Sequence, residues 1–74
     1  MMKGTITRLV PNRGFGFVRG EDGLPRFMHA KAVVPPHDFD VMREGQEVEF
    51  VSVTLANGKG NSLRAEEVRL CTRR

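Results

Sequence analysis

The sequence predicts an all-β chain closed into a small barrel, and three observations lead to that class. Turn signals recur along its whole length, as "PNRG" at 11–14, "GEDG" at 20–23, "PPHD" at 35–38, "REGQ" at 43–46 and "NGKGN" at 57–61. Between them lie five β-leaning runs, at roughly 3–10, 14–19, 25–30, 46–55 and 62–70. In the last two runs the apolar positions change parity partway along, which calls for a bulge or sharp bend of the kind small closed barrels need.

The runs can be oriented one at a time. In the second, "RGFGFV" at 13–18 sets Phe15 and Phe17 on one face of an extended strand and Gly14, Gly16 and Val18 on the other. In the third, Phe27 and His29 share one face while Arg26 and Met28 share the opposite one. Pro35 and Pro36 exclude a helix or central strand after it, and a 3₁₀ turn fits near 31–34. In the fourth, Val48 and Phe50 point inward with Glu47 and Glu49 outward, and the apolar set then passes to Val51, Val53 and Leu55. In the fifth, it passes from Leu63 and Ala65 to Val68 and Leu70. Seventy-four residues leave no room for two full sheets. The pattern therefore fits one domain over 1–74, a five-stranded antiparallel barrel of the OB type with a short 3₁₀ turn after strand 3.

Composition narrows the function. The apolar content suits a small core, and "MMKGTITRLV" has no long apolar run, so neither a membrane span nor a signal peptide is expected. The single cysteine, Cys71, makes no internal disulfide and fits a reducing cytoplasm; oxidation leaves only an intermolecular bridge open to it. The formal net charge is +3, but its distribution says more. Residues 1–31 hold six Lys/Arg against two acids, and residues 32–74 hold six against seven. The basic excess falls on the segment that carries Phe15, Phe17 and Phe27. A basic surface bearing aromatics is the footprint of single-stranded nucleic acid binding.

Whether the rings are exposed is a separate question. Alternation alone allows two readings: Phe15 and Phe17 as core with the glycines wet, or the reverse. Two observations favour exposed rings. Phe27 shares its face with the polar ring of His29, and Val18 has to be buried somewhere. The hairpin-like "RGEDGLP" then sets the two strands side by side, making a stacking platform worth roughly 1–3 kcal/mol per base. Arg8 and Arg13 stand where they can meet phosphates or stack on a base. Gly14 and Gly16 let neighbouring backbone approach closely.

With these residues in view, the chain resembles the bacterial cold-shock domain over about residues 3–70. "RGFGFV" is similar to the family's first ribonucleoprotein-like motif, K-G-F-G-F-I, and "RFMHA" at 26–30 to the second, V-F-V-H-F. "KGT" at 3–5, "DG" at 22–23 and "EGQEVEF" at 44–50 follow the family's order. The resemblance implies that Phe15, Phe17, Phe27 and His29 stack on single-stranded RNA or DNA and that Arg13 is the basic residue heading the first motif. It also implies that Phe39 is the aromatic of the loop after strand 3. There are departures. "TRLV" at 7–10 stands where the family has K-W-F-N, so Arg8 replaces a tryptophan and Thr7 a lysine. Ala30 replaces the last aromatic of the second motif. Losing two stacking groups weakens binding by roughly 2–5 kcal/mol, part of it returned by Arg8 and the basic balance.

Other residues carry less. The alternation aims Arg26 at the interior, which places it at the barrel's end with its guanidinium reaching solvent or an acidic partner. Lys59 and Arg64 extend the binding surface if the last hairpin folds toward it, whereas Glu66 and Glu67 read as solvated surface. His37 and Asp38 are loop neighbours without a nucleophile. His29, His37, Asp38, Asp40 and Cys71 have no metal-ligand spacing, so neither an enzyme, a metal nor a cofactor is expected. The resulting expectation is a cytoplasmic binder of single-stranded RNA or DNA, of the RNA-chaperone or cold-shock regulator kind, monomeric or homodimeric. Its bases stack on Phe15, Phe17, Phe27 and His29 while Arg8, Arg13 and Lys31 track the backbone. The alternative is an OB module for protein interaction or self-association, using Leu9, Val10 and Ala30 beside the rings.

Overall fold

The computed structural model of the protein describes residues 1–57 and 60–71. Five strands follow in chain order: β1 (Met2–Val10), β2 (Phe15–Gly20), β3 (Pro25–His29), β4 (Glu47–Asn57) and β5 (Gly60–Leu70). They close a barrel in the order β1-β2-β3-β5-β4. Its ladders are antiparallel except at the closure, where Phe27 of β3 meets Arg64 of β5 in parallel and Val33 bridges Val68 in the same sense. A 3₁₀ turn at Ala30–Ala32 follows β3, and a longer one spans Pro36–Val41.

Parity decides what the barrel contains. Along β2, Gly16, Val18 and Gly20 are buried while Phe15 and Phe17 are half-buried; along β3, Arg26 and Met28 are buried while Phe27 and His29 are half-buried. Val18, Met28, Val48 and Phe50 have no exposed surface, and Ile6, Ala65 and Val68 pack with them. Of the two sequence readings of "RGFGFV", the one with the rings turned outward is therefore the observed one.

Two bulges shape the barrel. Opposite β2, β1 spends an extra residue at Thr7, since Ile6 pairs with Val18 but Arg8 with Phe17. Opposite β4, β5 advances three residues, from Glu66 to Arg69, while β4 advances two, from Val51 to Glu49. Glu67 takes φ 49° there, the left-handed backbone that lets the strand change phase between Ala65 and Val68. The expected phase change in β5 is thus present. In β4 it is not. Val51 and Leu55 are 37% and 40% exposed. The extra residue lies on β5, so β4 keeps Val48, Phe50 and Ser52 on one side. Past Phe50, β4 also leaves its pairing with β1, and the hairpin has less barrel to fill.

Arg26 occupies the interior position that its alternation demands, and it is 3% exposed. Its guanidinium donates Nη1 to Asp22 Oδ1 (2.8 Å) and to the Leu24 carbonyl (2.9 Å), Nη2 to Asp22 Oδ2 (2.7 Å), and Nε to Ser52 Oγ (2.8 Å). The cation also lies 5.5 Å from the centre of the Phe50 ring. A buried charge is tolerable only when its donors are satisfied, and here four of the five N–H groups are. The acidic partner is Asp22, from the turn between β2 and β3.

Phe39 requires a correction. Expected on the binding loop, it is 8% exposed and belongs to the core with Ala32, Val33 and Met42. The Pro36–Val41 turn folds back on itself, with the Met42 N–H donating to the Phe39 carbonyl (3.3 Å). The ring lies in the apolar cluster, which leaves little of its surface for a base. No helix among the described residues is long and apolar enough to cross a membrane.

Candidate nucleic-acid interface

The outward face of β2 and β3 carries a small aromatic lattice. Pairing aligns Phe15 with His29 and Phe17 with Phe27, and directly paired residues on adjacent strands point to the same side. Phe15 and Phe27 lie offset and nearly parallel, with centroids 5.5 Å apart and planes at 29°. Phe17 meets both edge-on, at 6.0 and 5.9 Å and at 86° and 79°. His29 is tilted against Phe27 at 6.4 Å. These are preferred aromatic geometries, each worth roughly 0.5–1.5 kcal/mol beyond area burial. The rings hold one another in place and keep part of their surface in water.

Neighbouring strands frame the lattice with cations. The Thr7 bulge brings Arg8 opposite Phe17, and the barrel closure brings Arg64 opposite Phe27. One row therefore crosses four strands as Arg8, Phe17, Phe27, Arg64. The Arg64 guanidinium stands 5.9 Å from the centre of the Phe27 ring, within cation–π range. Gly16 permits this close spacing, because a Cβ there would sit 2.5 Å from the Arg8 carbonyl oxygen and 3.0 Å from Leu9 Cδ2. Gly14 has another task. It is not in the strand but takes φ 75° to end the Pro11–Arg13 turn, which turns the chain from β1 into β2.

Two hollows flank the rings. One, of about 390 Å³, is lined by Arg8, Val10, Arg13, Phe15 and Phe17. The other, of about 300 Å³, is lined by His29, Lys31, Ala32, Arg64 and Glu66. His29 Nδ1 accepts the backbone N–H of Lys31 (3.0 Å), which fixes the ring plane and leaves Nε2 as its outward edge. Arg8, Arg13, Phe15, Phe17, Phe27, His29 and Lys31 are thus brought to one face. Phe39 is not, and Lys59 lies outside the described residues. Arg64 was visible in the sequence only as a possible extension, and Glu66 only as surface. Their spacing put both on one side of β5, but nothing local announced that β5 would pair with β3.

Leu9 and Ala30 are partly buried against the core, which reduces the apolar surface they offer beside the rings. A closed OB barrel with rings on strands 2 and 3, framed by arginines, falls in the class of small barrels that use this face for recognition. The comparisons narrow the class. The family model described as the 'Cold-shock' DNA-binding domain matches residues 2–71. Cold shock protein CapB of Pseudomonas syringae pv. tomato is 33% identical over 67 residues, 90% of each chain. Major cold shock protein CspA of Pseudomonas aeruginosa is 36% identical over the same share of each. Cold shock-like protein CspC of Bacillus cereus is 37% identical over 57 residues, 77% of this chain and 86% of its own. The chain belongs to the cold-shock domain family.

Proposed function

We propose that the chain binds single-stranded RNA or DNA on the face of β2 and β3, as a non-enzymatic, ATP-independent cold-shock-type nucleic acid chaperone of the cytoplasm. The observation that carries this reading is the four-strand row in which two rings stand between two guanidinium groups. Bases stack on Phe15, Phe17, Phe27 and His29, while Arg8, Arg13 and Lys31 neutralise phosphates along the path. Duplexes are excluded because their bases already stack on each other and offer no free face to the rings. Family membership and the shared extent with CapB and CspA support the same reading.

Anisotropy of a fluorescein-labelled oligothymidylate tests it; the label is required because the chain has no tryptophan. With three phosphates neutralised, raising salt from about 50 to 200 mM should weaken binding about 20-fold, at a log–log slope of about −2. A duplex of the same length should bind far more weakly at both salts. Equal affinity for single strand and duplex would remove the stacking mechanism.

A further inference from the structure

The hollow beside Phe27 and His29 has a composition that phosphate attraction does not explain. Lys31 and Arg64 supply cationic donors, but Glu66 places a carboxylate among them. Against a polyanion that charge works in the wrong direction. Glu66 Oε2 lies 3.6 Å from Arg64 Nη2, an ion pair longer than a hydrogen bond. Arg64 Nε is buried with no hydrogen-bond partner among the described residues. Both side chains are only partly exposed, at 37% and 38%, and both keep hydrogen-bonding capacity unspent. The volume of about 300 Å³ is at the lower end for small ligands.

We infer that Arg64 and Glu66 read the edge of the base stacked at Phe27 and His29, and that the base they favour is guanine. This rests on the nucleic-acid reading given above. Guanine offers two adjacent acceptors, O6 and N7, to a guanidinium fork. Beside O6 it presents N1–H and the N2 amino group, two adjacent donors that match the two oxygens of a carboxylate. Uracil and thymine have a single N–H donor on that edge. Cytosine and adenine have one amino group next to an acceptor, which a carboxylate repels. Arg64 and Glu66 are two residues apart in β5 and both line the hollow, so they can address neighbouring edges of one ring.

The test is anisotropy with labelled oligothymidylates in which one position is replaced in turn by guanine, inosine, cytosine or adenine, scanned along the strand. At one position guanine should bind about tenfold more tightly than thymine, and inosine, which lacks the N2 amino group, should lose most of that gain. Glu66→Gln should bring the guanine advantage below about twofold, with an unchanged melting temperature as the check on folding. If oligothymidylate binds but guanine shows no advantage at any position, or cytosine is preferred, or Glu66→Gln keeps the guanine preference, the inference is overturned and the binding function stands. If no oligonucleotide binds, the function fails and takes the inference with it.

Discussion

Phe17→Ala should lower affinity for single-stranded oligonucleotide by about 5- to 150-fold and leave the barrel folded. Phe17 sits in the middle of the four-strand row, between Arg8 and Phe27, and meets Phe15 and Phe27 edge-on. Its removal deletes one stacking surface and loosens the two rings beside it. The stability cost is that of the edge contacts, roughly 0.5–1.5 kcal/mol each, plus the apolar area that the half-buried ring shields, and it stays below that of a core ring. Phe50 gives the contrast. It is fully buried, and Phe50→Ala should cost about 3–5 kcal/mol, enough to unfold much of so small a domain. Thermal melts and anisotropy titrations of the two variants separate the roles. Should Phe17→Ala melt like Phe50→Ala while keeping its affinity, the ring would be core and the interface misassigned.

The second large effect concerns stability. Asp22→Asn should lower the melting temperature at neutral pH by several degrees, because it leaves the buried Arg26 guanidinium without its counter-charge. The hydrogen bonds from Arg26, then that from the Leu24 N–H, hold the Asp22 carboxyl well below its ordinary range, and Asp22 in turn raises Arg26. A carboxyl whose folded pKa is depressed contributes stability above its unfolded value, near pH 3.9, and loses it as pH falls through that value toward the folded one. The wild-type melting temperature should therefore fall as pH drops below about 4, and in Asp22→Asn this acid-dependent loss should be smaller. Changing both partners, as Asp22→Asn with Arg26→Met, should recover part of the loss, since an apolar chain needs no counter-charge. Melts that fall in parallel for wild type and Asp22→Asn across this range would show that the pair is not the source of acid lability.

Much of the architecture can be read along the strands. Val18 must be buried and His29 favours a wet face, and together they turn Phe15, Phe17 and Phe27 outward where glycine leaves the orientation ambiguous. Leu63 and Ala65 followed by Val68 and Leu70 announced the β5 bulge. The same signal in β4 misled, because Val51 and Leu55 lie where the hairpin has left its β1 partner, and an apolar residue on such a stretch need not be buried. Phe39 was misplaced for a different reason. It sits in an irregular, proline-rich segment, where no periodicity tells the inward side from the outward one. The cations at the rim depend on register. The Thr7 bulge puts Arg8 opposite Phe17, and the β3–β5 closure joins Phe27 to Arg64 from far along the chain. Neither leaves a mark in local sequence.

The chain's five phenylalanines give the most direct test of the central claim, since three belong to the proposed interface and two to the core. Aromatic ¹H–¹³C NMR spectra recorded during titration with oligothymidylate should show the rings of Phe15, Phe17 and Phe27, with His29, shifting as bases stack on them. Phe39 and Phe50 should stay in place. Saturable binding that leaves the first three rings unmoved would contradict the claim and put the nucleic acid elsewhere on the barrel.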